Sequence, residues 1–460
     1  MSDMLARFEA VLGPGAVLTG EAAAEKAVSR ITRLGKPIAV LLPSTADQVS
    51  ATMRVAHELG VAVSPWGGKT GLVDGAFADN AVALSLERMN RIEEIDTAAG
   101  VMVVEAGCIL QTACEAAEAE GLFLPLDLGS RGSATIGGNI STNAGGNRVL
   151  RYGMMGDMVL GLEVVLAGGT IVSSLNRLIK NNAGYDLKRL FIGTEGTLGV
   201  VTRAVLRLRR APVSQNAAVV GLAGFAEVCE LLRRLEAGLG GCLSAFEVMW
   251  PEFYDVVTTS PAVGRPVLVG RHAYYVLIES LGGDDEDDAN RFERVLGETL
   301  EAGVVEDAAI AKSQAECDRM WALRDDAGQT VRELPIAAFD VSLGLSDMEA
   351  FVAAARRDLA VRWPDIHLTV FGHVADGNLH LIVALRDRQR RHDVENLIYG
   401  LVRDRGGSVS AEHGIGLQKR AYLSWTRNDN EIALMRNLKR ALDPSGILNP
   451  GKIFDQGQPG

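Results

Sequence analysis

The chain has 460 residues, 47% hydrophobic and 23% charged, the balance of a globular protein with length for two or three domains. A net charge of −12 argues against nucleic acid as a partner, and an anionic substrate would need a locally positive pocket. No run of about 18 apolar residues occurs, so no membrane span is expected.

Met1–Leu12 carries neither a basic n-region nor an apolar h-region, so no secretory signal is expected. Cys108, Cys114, Cys229, Cys242 and Cys317 show no CxxC pair and no metal spacing. They read as free thiols of a reducing compartment, which makes the cytoplasm the expected location. Ile38–Leu42 reads as a short strand. Thr45 and Gln48 stand at capping-box spacing, Val49, Met53 and Ala56 follow at helical spacing, and Gly60 ends that helix. Val61–Ser64 is the next strand of a β-α-β start, which runs into Pro65-Trp66-Gly67-Gly68-Lys69-Thr70-Gly71.

Gly68-Lys69-Thr70 looks like half of a Walker A loop, but the position five residues before Gly68 is Val63. No G-x-G-x-x-G occurs either, which disfavours a Rossmann site. Consecutive glycines still let backbone N–H groups close around a phosphate. Leu128–Gly146, dense in Gly, Ser, Thr and Asn, reads as a long loop interrupted by Ile136 and Ile140. A long loop inside a compact region is usually functional, and this one could wrap a large cofactor with many acceptors. Gly193–Gly199 is a further Gly-rich stretch.

Arg207, Arg209, Arg210 and Pro212 mark a boundary. Beyond it, strands Tyr274–Ser280, Ala337–Leu343 and Leu368–Val374 alternate with helices Arg291–Glu301, Ala315–Glu333 and Met348–Arg362, the texture of an α+β domain with an antiparallel sheet. Asp284–Asp288 reads as a solvated helix start. From Arg388 the tail reads as mostly helical.

Two of the seven histidines flank a turn signal in His373-Val-Ala-Asp-Gly-Asn-Leu-His380. With Asp376-Gly377 at the tip of a type I′ hairpin, Leu368–Val374 and Leu379–Leu385 pair and His373 faces His380. Opposed residues share one face with Cβ atoms about 5 Å apart, a separation that suits two imidazoles on one metal ion. Glu412-His413 supplies a carboxylate beside a further histidine, pointing to a site of two histidines and one carboxylate with open positions. Glu412 and His413 could serve one site only if the backbone bends there, and Gly414 permits it.

Pro65–Gly71, Leu126–Gly146, Arg151-Tyr152-Gly153, Asn182–Leu187 and Phe191–Gly199 together resemble the FAD domain of the vanillyl-alcohol-oxidase-type flavoproteins. His373–His380, Ser410–Gly414 and Leu442–Pro450 resemble the C-terminal FAD-linked oxidase domain of the same family, which includes the D-2-hydroxyglutarate and D-lactate dehydrogenases. The resemblance implies a two-domain α+β flavoprotein: an FAD-binding domain at 1–212, a substrate domain with an antiparallel sheet at 213–400, and a helical C-terminal segment at 401–460 that packs back towards the flavin. It implies that Pro65, Gly67, Gly68, Lys69, Thr70 and Gly71 hold the FAD pyrophosphate. Pro125, Asp127, Ser133, Ile136, Gly137 and Gly138, with Asn143, Ala144 and Gly145, would line the rest, and Glu195, Gly196, Gly199 and Val200 would support it. Some relatives attach the flavin to a histidine where this chain has Lys69, so FAD is expected to be non-covalent.

The same resemblance implies that a D-2-hydroxy acid is oxidised to the 2-oxo acid by hydride transfer to flavin. His373, His380 and Glu412 would hold zinc or manganese, His413 would take the hydroxyl proton and Arg324 would bind the substrate carboxylate. Hydroxyglutarate dehydrogenases hold a second carboxylate with a threonine, a lysine and an asparagine. The matching positions here are Gly328, Ala338 and Ile382, so a lactate-like or apolar substrate side chain is expected, with D-2-hydroxyglutarate as the alternative. A non-catalytic flavin- or metal-binding protein is the alternative from another class. The electron acceptor would be a quinone, a cytochrome or an electron-transfer flavoprotein, and a homodimer is one option for assembly.

Overall fold

The structure is a computed structural model that describes residues 1–29, 32–259, 261–262, 264–332 and 334–455. The chain divides into two compact units, 1–146 with 153–211 and 412–460, and 147–152 with 212–411. Among the described residues no helix is long and apolar enough to cross a membrane.

The first unit holds a four-stranded sheet in the order Val17–Leu18, Ala39–Leu41, Val82–Ser85, Val63–Trp66. Ala39–Leu41 and Val63–Trp66 both run parallel to Val82–Ser85, which lies between them. The helix Ala46–Leu59 makes the crossover: Thr45 Oγ1 accepts the Gln48 N–H, and Gly60 closes it in the left-handed region at φ 62°. A second, antiparallel sheet runs Ile92–Asp96, Val101–Glu105, Val200–Arg207, Val159–Val165, Ile171–Ser174. Val101–Glu105 and Val159–Val165 are buried at every residue, which fits sequences that are apolar apart from Glu105 and Glu163.

The second unit is built on a seven-stranded antiparallel sheet. Its order is Asp307–Ile310, Ser214–Leu222, Tyr274–Gly282, Leu243–Met249, His367–Gly372, Asn378–Ala384, Ile336–Ser342. One face carries an apolar core of Met249, Phe253, Tyr254, Tyr275, Leu277, Trp321, Leu323 and Phe371. The helix Gln314–Asp325 packs on that face. It is shorter than the expected Ala315–Glu333, because the chain tightens into a 3-10 turn at Asp326–Val331; Glu333 lies outside the described residues.

Three further sequence expectations change. Leu128–Gly146 is not one loop: Ile136–Thr142 is a short helix, capped by Thr135 Oγ1 on the Gly138 N–H, with Ile136 and Ile140 fully buried at i, i+4 spacing. The segment 401–411 belongs with the second unit, because the helix Arg391–Arg403 runs through the expected boundary at 401 and Ser408 pairs with Ser342. The third change is the hairpin. Val374–Asp376 is a 3-10 turn and only Gly377 has positive φ, at 89°, so the connection is longer than a type I′ turn. His380 therefore lies opposite Phe371 rather than His373.

Candidate active site

The first unit contains a cleft whose empty space, counted out through its open mouth into solvent, is about 960 Å³. The strand Val63–Trp66 delivers Pro65, Gly67, Gly68, Lys69, Thr70 and Gly71 to one wall. Gly137 and Gly138 line it from the start of the short helix, and Glu195, Gly196, Gly199 and Val200 line it from the loop before Val200–Arg207. At Gly67 and Gly68 the packing leaves no room for a side chain. A Cβ on Gly68 would sit 2.0 Å from the Ser133 carbonyl oxygen, and one on Gly67 would sit 2.5 Å from Thr135 Oγ1. Lys69 holds φ 56°, donates from Nζ to the Lys26 carbonyl at 2.8 Å and has its pKa lowered by burial.

Pro125, Asp127, Ser133, Ile136, Asn143, Ala144 and Gly145 are not among the residues that line this cleft. Ser133 packs its carbonyl behind Gly68, and Ile136 is in the core. Asn143 caps the next turn, its Oδ1 accepting the Gly156 N–H at 2.8 Å. Asn139, absent from the sequence expectations, does line the cleft; it is 4% exposed and its Nδ2 has no hydrogen-bond partner. Such an orphan buried donor in a cleft calls for an acceptor from a ligand.

His413 also lines the cleft. The backbone does bend after it: Gly414 has φ 79°. Glu195 holds that bend, its carboxylate accepting the N–H groups of Ile415 at 2.7 Å and Gly416 at 2.8 Å. Complete burial raises the Glu195 pKa, against the pull of those two N–H groups and of Lys419 and Lys452. The neighbouring Glu412 is held by the Gly146 N–H, which its Oε1 accepts at 2.7 Å. The bend on which the sequence made a shared role of Glu412 and His413 conditional is present in the backbone at Gly414.

In the second unit, His380 and Ile382 lie on one face of Asn378–Ala384, while Leu379, Leu381 and Val383 fill the other and are fully buried. Register sets two rows on that face. Asp340, His380 and Phe371 form one; Ala338, Ile382 and Thr369 form the next. Asp340 is fully buried and accepts from Asn378 Nδ2 at 3.1 Å and Ser410 Oγ at 3.3 Å. Although His373 sits in the turn, its ring stands 5.3 Å from that of His380, at 81°. Gly328 lies on the 3-10 turn, exposed, and a side chain there would meet open space.

Arg324 is buried. Its Nε donates to Glu247 Oε2 at 2.6 Å, its guanidinium lies 4.9 Å over the Phe371 ring, and its Nη2 is 3.3 Å from His373 Nε2. Glu247 Oε1 also takes His373 Nδ1. Burial alone would raise the Glu247 pKa, but His373 and Arg324 hold it down at about 2. The contacts of His373 with Glu247 and Arg324 fit the tautomer in which Nδ1 donates and Nε2 accepts. An imidazole fixed this way, beside a second one, has the chemistry of a metal ligand. Sequence reading missed Glu247 because a single acid in the apolar run Leu243–Met249 carries no periodic signal.

The FAD binding domain family matches residues 37–174, and the family of FAD linked oxidases, C-terminal domain, matches residues 211–453. The D-2-hydroxyglutarate dehydrogenase, mitochondrial, of Bos taurus is 39% identical over 458 residues, covering 98% of this chain and 83% of that protein. The D-2-hydroxyglutarate dehydrogenase of Xanthomonas citri pv. viticola is 39% identical over 427 residues, covering 91% and 89%. Among solved structures, p-cresol methylhydroxylase with substrate bound superposes with a TM-score of 0.79 at 19% identity, covering 100% of this chain and 98% of that one, a likeness of fold. A backbone-lined cleft with an orphan amide donor fits the FAD that this family carries. Both family domains stand in order along a chain that aligns almost end to end with these relatives, and the chain belongs to the FAD-linked oxidases as an FAD-dependent oxidoreductase.

Proposed function

We propose that the protein oxidises a D-2-hydroxy acid to the 2-oxo acid and prefers a lactate-like or apolar side chain over a second carboxylate. Bound FAD supplies the hydride acceptor, and a divalent ion, zinc or manganese, lowers the pKa of a hydroxyl bound to it. His373 and His380 are its ligands from the second unit, and Glu412 is the third by family resemblance. Arg324 binds the substrate carboxylate through its outer nitrogens, since Nε is taken by Glu247. His413 accepts the hydroxyl proton. FAD is held without a covalent bond, because Lys69 stands where some relatives carry the attaching histidine. Electrons leave to a quinone, a cytochrome or an electron-transfer flavoprotein.

One observation carries the side-chain preference. The row next to His380 consists of Ala338, Ile382 and Thr369, a methyl, a branched alkyl and one hydroxyl. Ile382 also packs on the apolar core of the unit. A second carboxylate beside this row would lose water without gaining a charged or amide donor from it, which is costly. The names of the relatives favour the alternative, D-2-hydroxyglutarate itself.

A panel of D-2-hydroxy acids with an artificial dye acceptor, run beside metal analysis of the purified enzyme, tests the proposal. A higher kcat/KM for D-lactate or D-2-hydroxybutyrate than for D-2-hydroxyglutarate supports it. The reverse order assigns the enzyme to hydroxyglutarate.

A further inference from the structure

We propose that Glu247 is a positioning residue that sets Arg324 and His373 as one unit, so that the carboxylate clamp and a metal ligand are presented side by side. The inference rests on the roles proposed above for those two residues.

Glu247 lies on Leu243–Met249, two residues before Met249, which pairs with Phe371. It therefore shares a sheet face with Phe371 and His380. It is fully buried, 126 residues from His373 and 77 from Arg324 in sequence. One carboxylate oxygen takes Arg324 Nε and the other takes His373 Nδ1. Each partner is thus held by its inner nitrogen, and the outer nitrogens, Arg324 Nη2 and His373 Nε2, converge to 3.3 Å. A 2-hydroxy acid carries its hydroxyl and carboxylate on adjacent carbons. Groups that grip both must be adjacent too, and the pairing through Glu247 produces that adjacency from a sheet strand, a helix and a turn.

Two donors meet at this position, and each needs an acceptor. Glu279, another fully buried acid on this face, serves a different set of donors: Arg148, Gln215, Ser244 and Trp321. Trp321 and Arg324 are three residues apart on Gln314–Asp325, so one helix face meets both acids. Glu279 anchors the helix through Trp321. Glu247 reaches the two residues assigned to substrate and metal. A neutral glutamine there would keep the volume but leave one of two donors facing an amide N–H.

Glu247→Gln in the flavin-loaded enzyme is the test, read by metal affinity and by kcat and KM for D-lactate. The expected result is a normal flavin spectrum, metal bound about 10- to 100-fold more weakly, and KM raised about tenfold or more. Adding Glu247→Gln to Arg324→Lys should cost little beyond Arg324→Lys alone, because both break the same unit. Unchanged KM and metal affinity with only a lower melting temperature would overturn the proposal, and so would additive losses in the double variant. If Glu247→Gln does not fold, Glu247→Asp keeps the charge, shortens its reach and carries the same readouts. Wild-type activity that is indifferent to chelation would sink the metal reading by itself, and the Arg324 double variant would still decide the role of Glu247.

Discussion

The cofactor cleft of the first unit and the histidine face of the second are built from opposite materials. The cleft is made of backbone: Gly67, Gly68, Gly137 and Gly138 stand where a Cβ would meet a neighbouring atom at 3.1 Å or less. The face is made of side chains held by other side chains, with Glu247 between Arg324 and His373, and Asn378 and Ser410 on Asp340. A backbone site has few tolerated substitutions, and its failure is loss of the cofactor. A side-chain face can change chemistry or selectivity one residue at a time while its strands keep their register.

The largest expected effect separates these two modes. Gly68→Ala forces a methyl to 2.0 Å from the Ser133 carbonyl, an overpacking that costs about 1–3 kcal/mol or more. The purified protein should be largely free of flavin, measured as the ratio of visible to ultraviolet absorbance; full flavin content would mean that the loop has space the structure does not give it. His380→Ala should do the converse and keep the yellow colour. It should lose bound metal and roughly a thousandfold in kcat, as removal of several kcal/mol of metal assistance implies. Retained activity in that variant, insensitive to chelators, would remove the metal from the mechanism.

Selectivity should move by less. Ile382→Asn with Ala338→Lys places donors on two register partners beside His380. A charged hydrogen bond is worth about 1.5–3 kcal/mol, so kcat/KM for D-2-hydroxyglutarate relative to D-lactate should rise about 10- to 100-fold. An unchanged ratio would show that the distal end of the substrate lies elsewhere.

The smallest effect is a pH dependence of the first unit. Burial pushes the Lys452 ammonium down to about 8, with Glu195 pulling it back up. The unfolded chain keeps this proton to about pH 10.5 and the folded chain releases it near 8, so the unfolded state binds more protons between these values and stability rises with pH there. Relative to Lys452→Met, the wild type should gain about 1–3 kcal/mol between roughly pH 7.5 and 10, seen in denaturant titrations. Parallel curves for the two proteins would exclude the shift.

The same contrast decides what was legible in the sequence. Backbone sites announce themselves through composition, so the glycines of Pro65–Gly71 and Gly193–Gly199 pointed to the cleft before any geometry was known. The cap at Thr45 and the stop at Gly60 were equally local. The hairpin was half legible. Asp376-Gly377 marked a turn, but the register also depends on Ser342–Asn378 and Phe371–His380 pairing, which moved His373 into the connection. Glu247 was not legible, because its meaning lies in contacts 77 and 126 residues away. Ile136 and Ile140 held a helical spacing that the surrounding glycines obscured, since glycine is a poor helix former and only the cap and burial offset that.

Anaerobic mixing of the flavin-loaded enzyme with single D-2-hydroxy acids, followed through the visible flavin absorbance, tests the central claim most directly. The account predicts that D-lactate or D-2-hydroxybutyrate bleaches the flavin within turnover time, faster than D-2-hydroxyglutarate does and without response to the L-enantiomers. A flavin that stays oxidised with every D-2-hydroxy acid, or that is reduced fastest by an L-enantiomer, would contradict it.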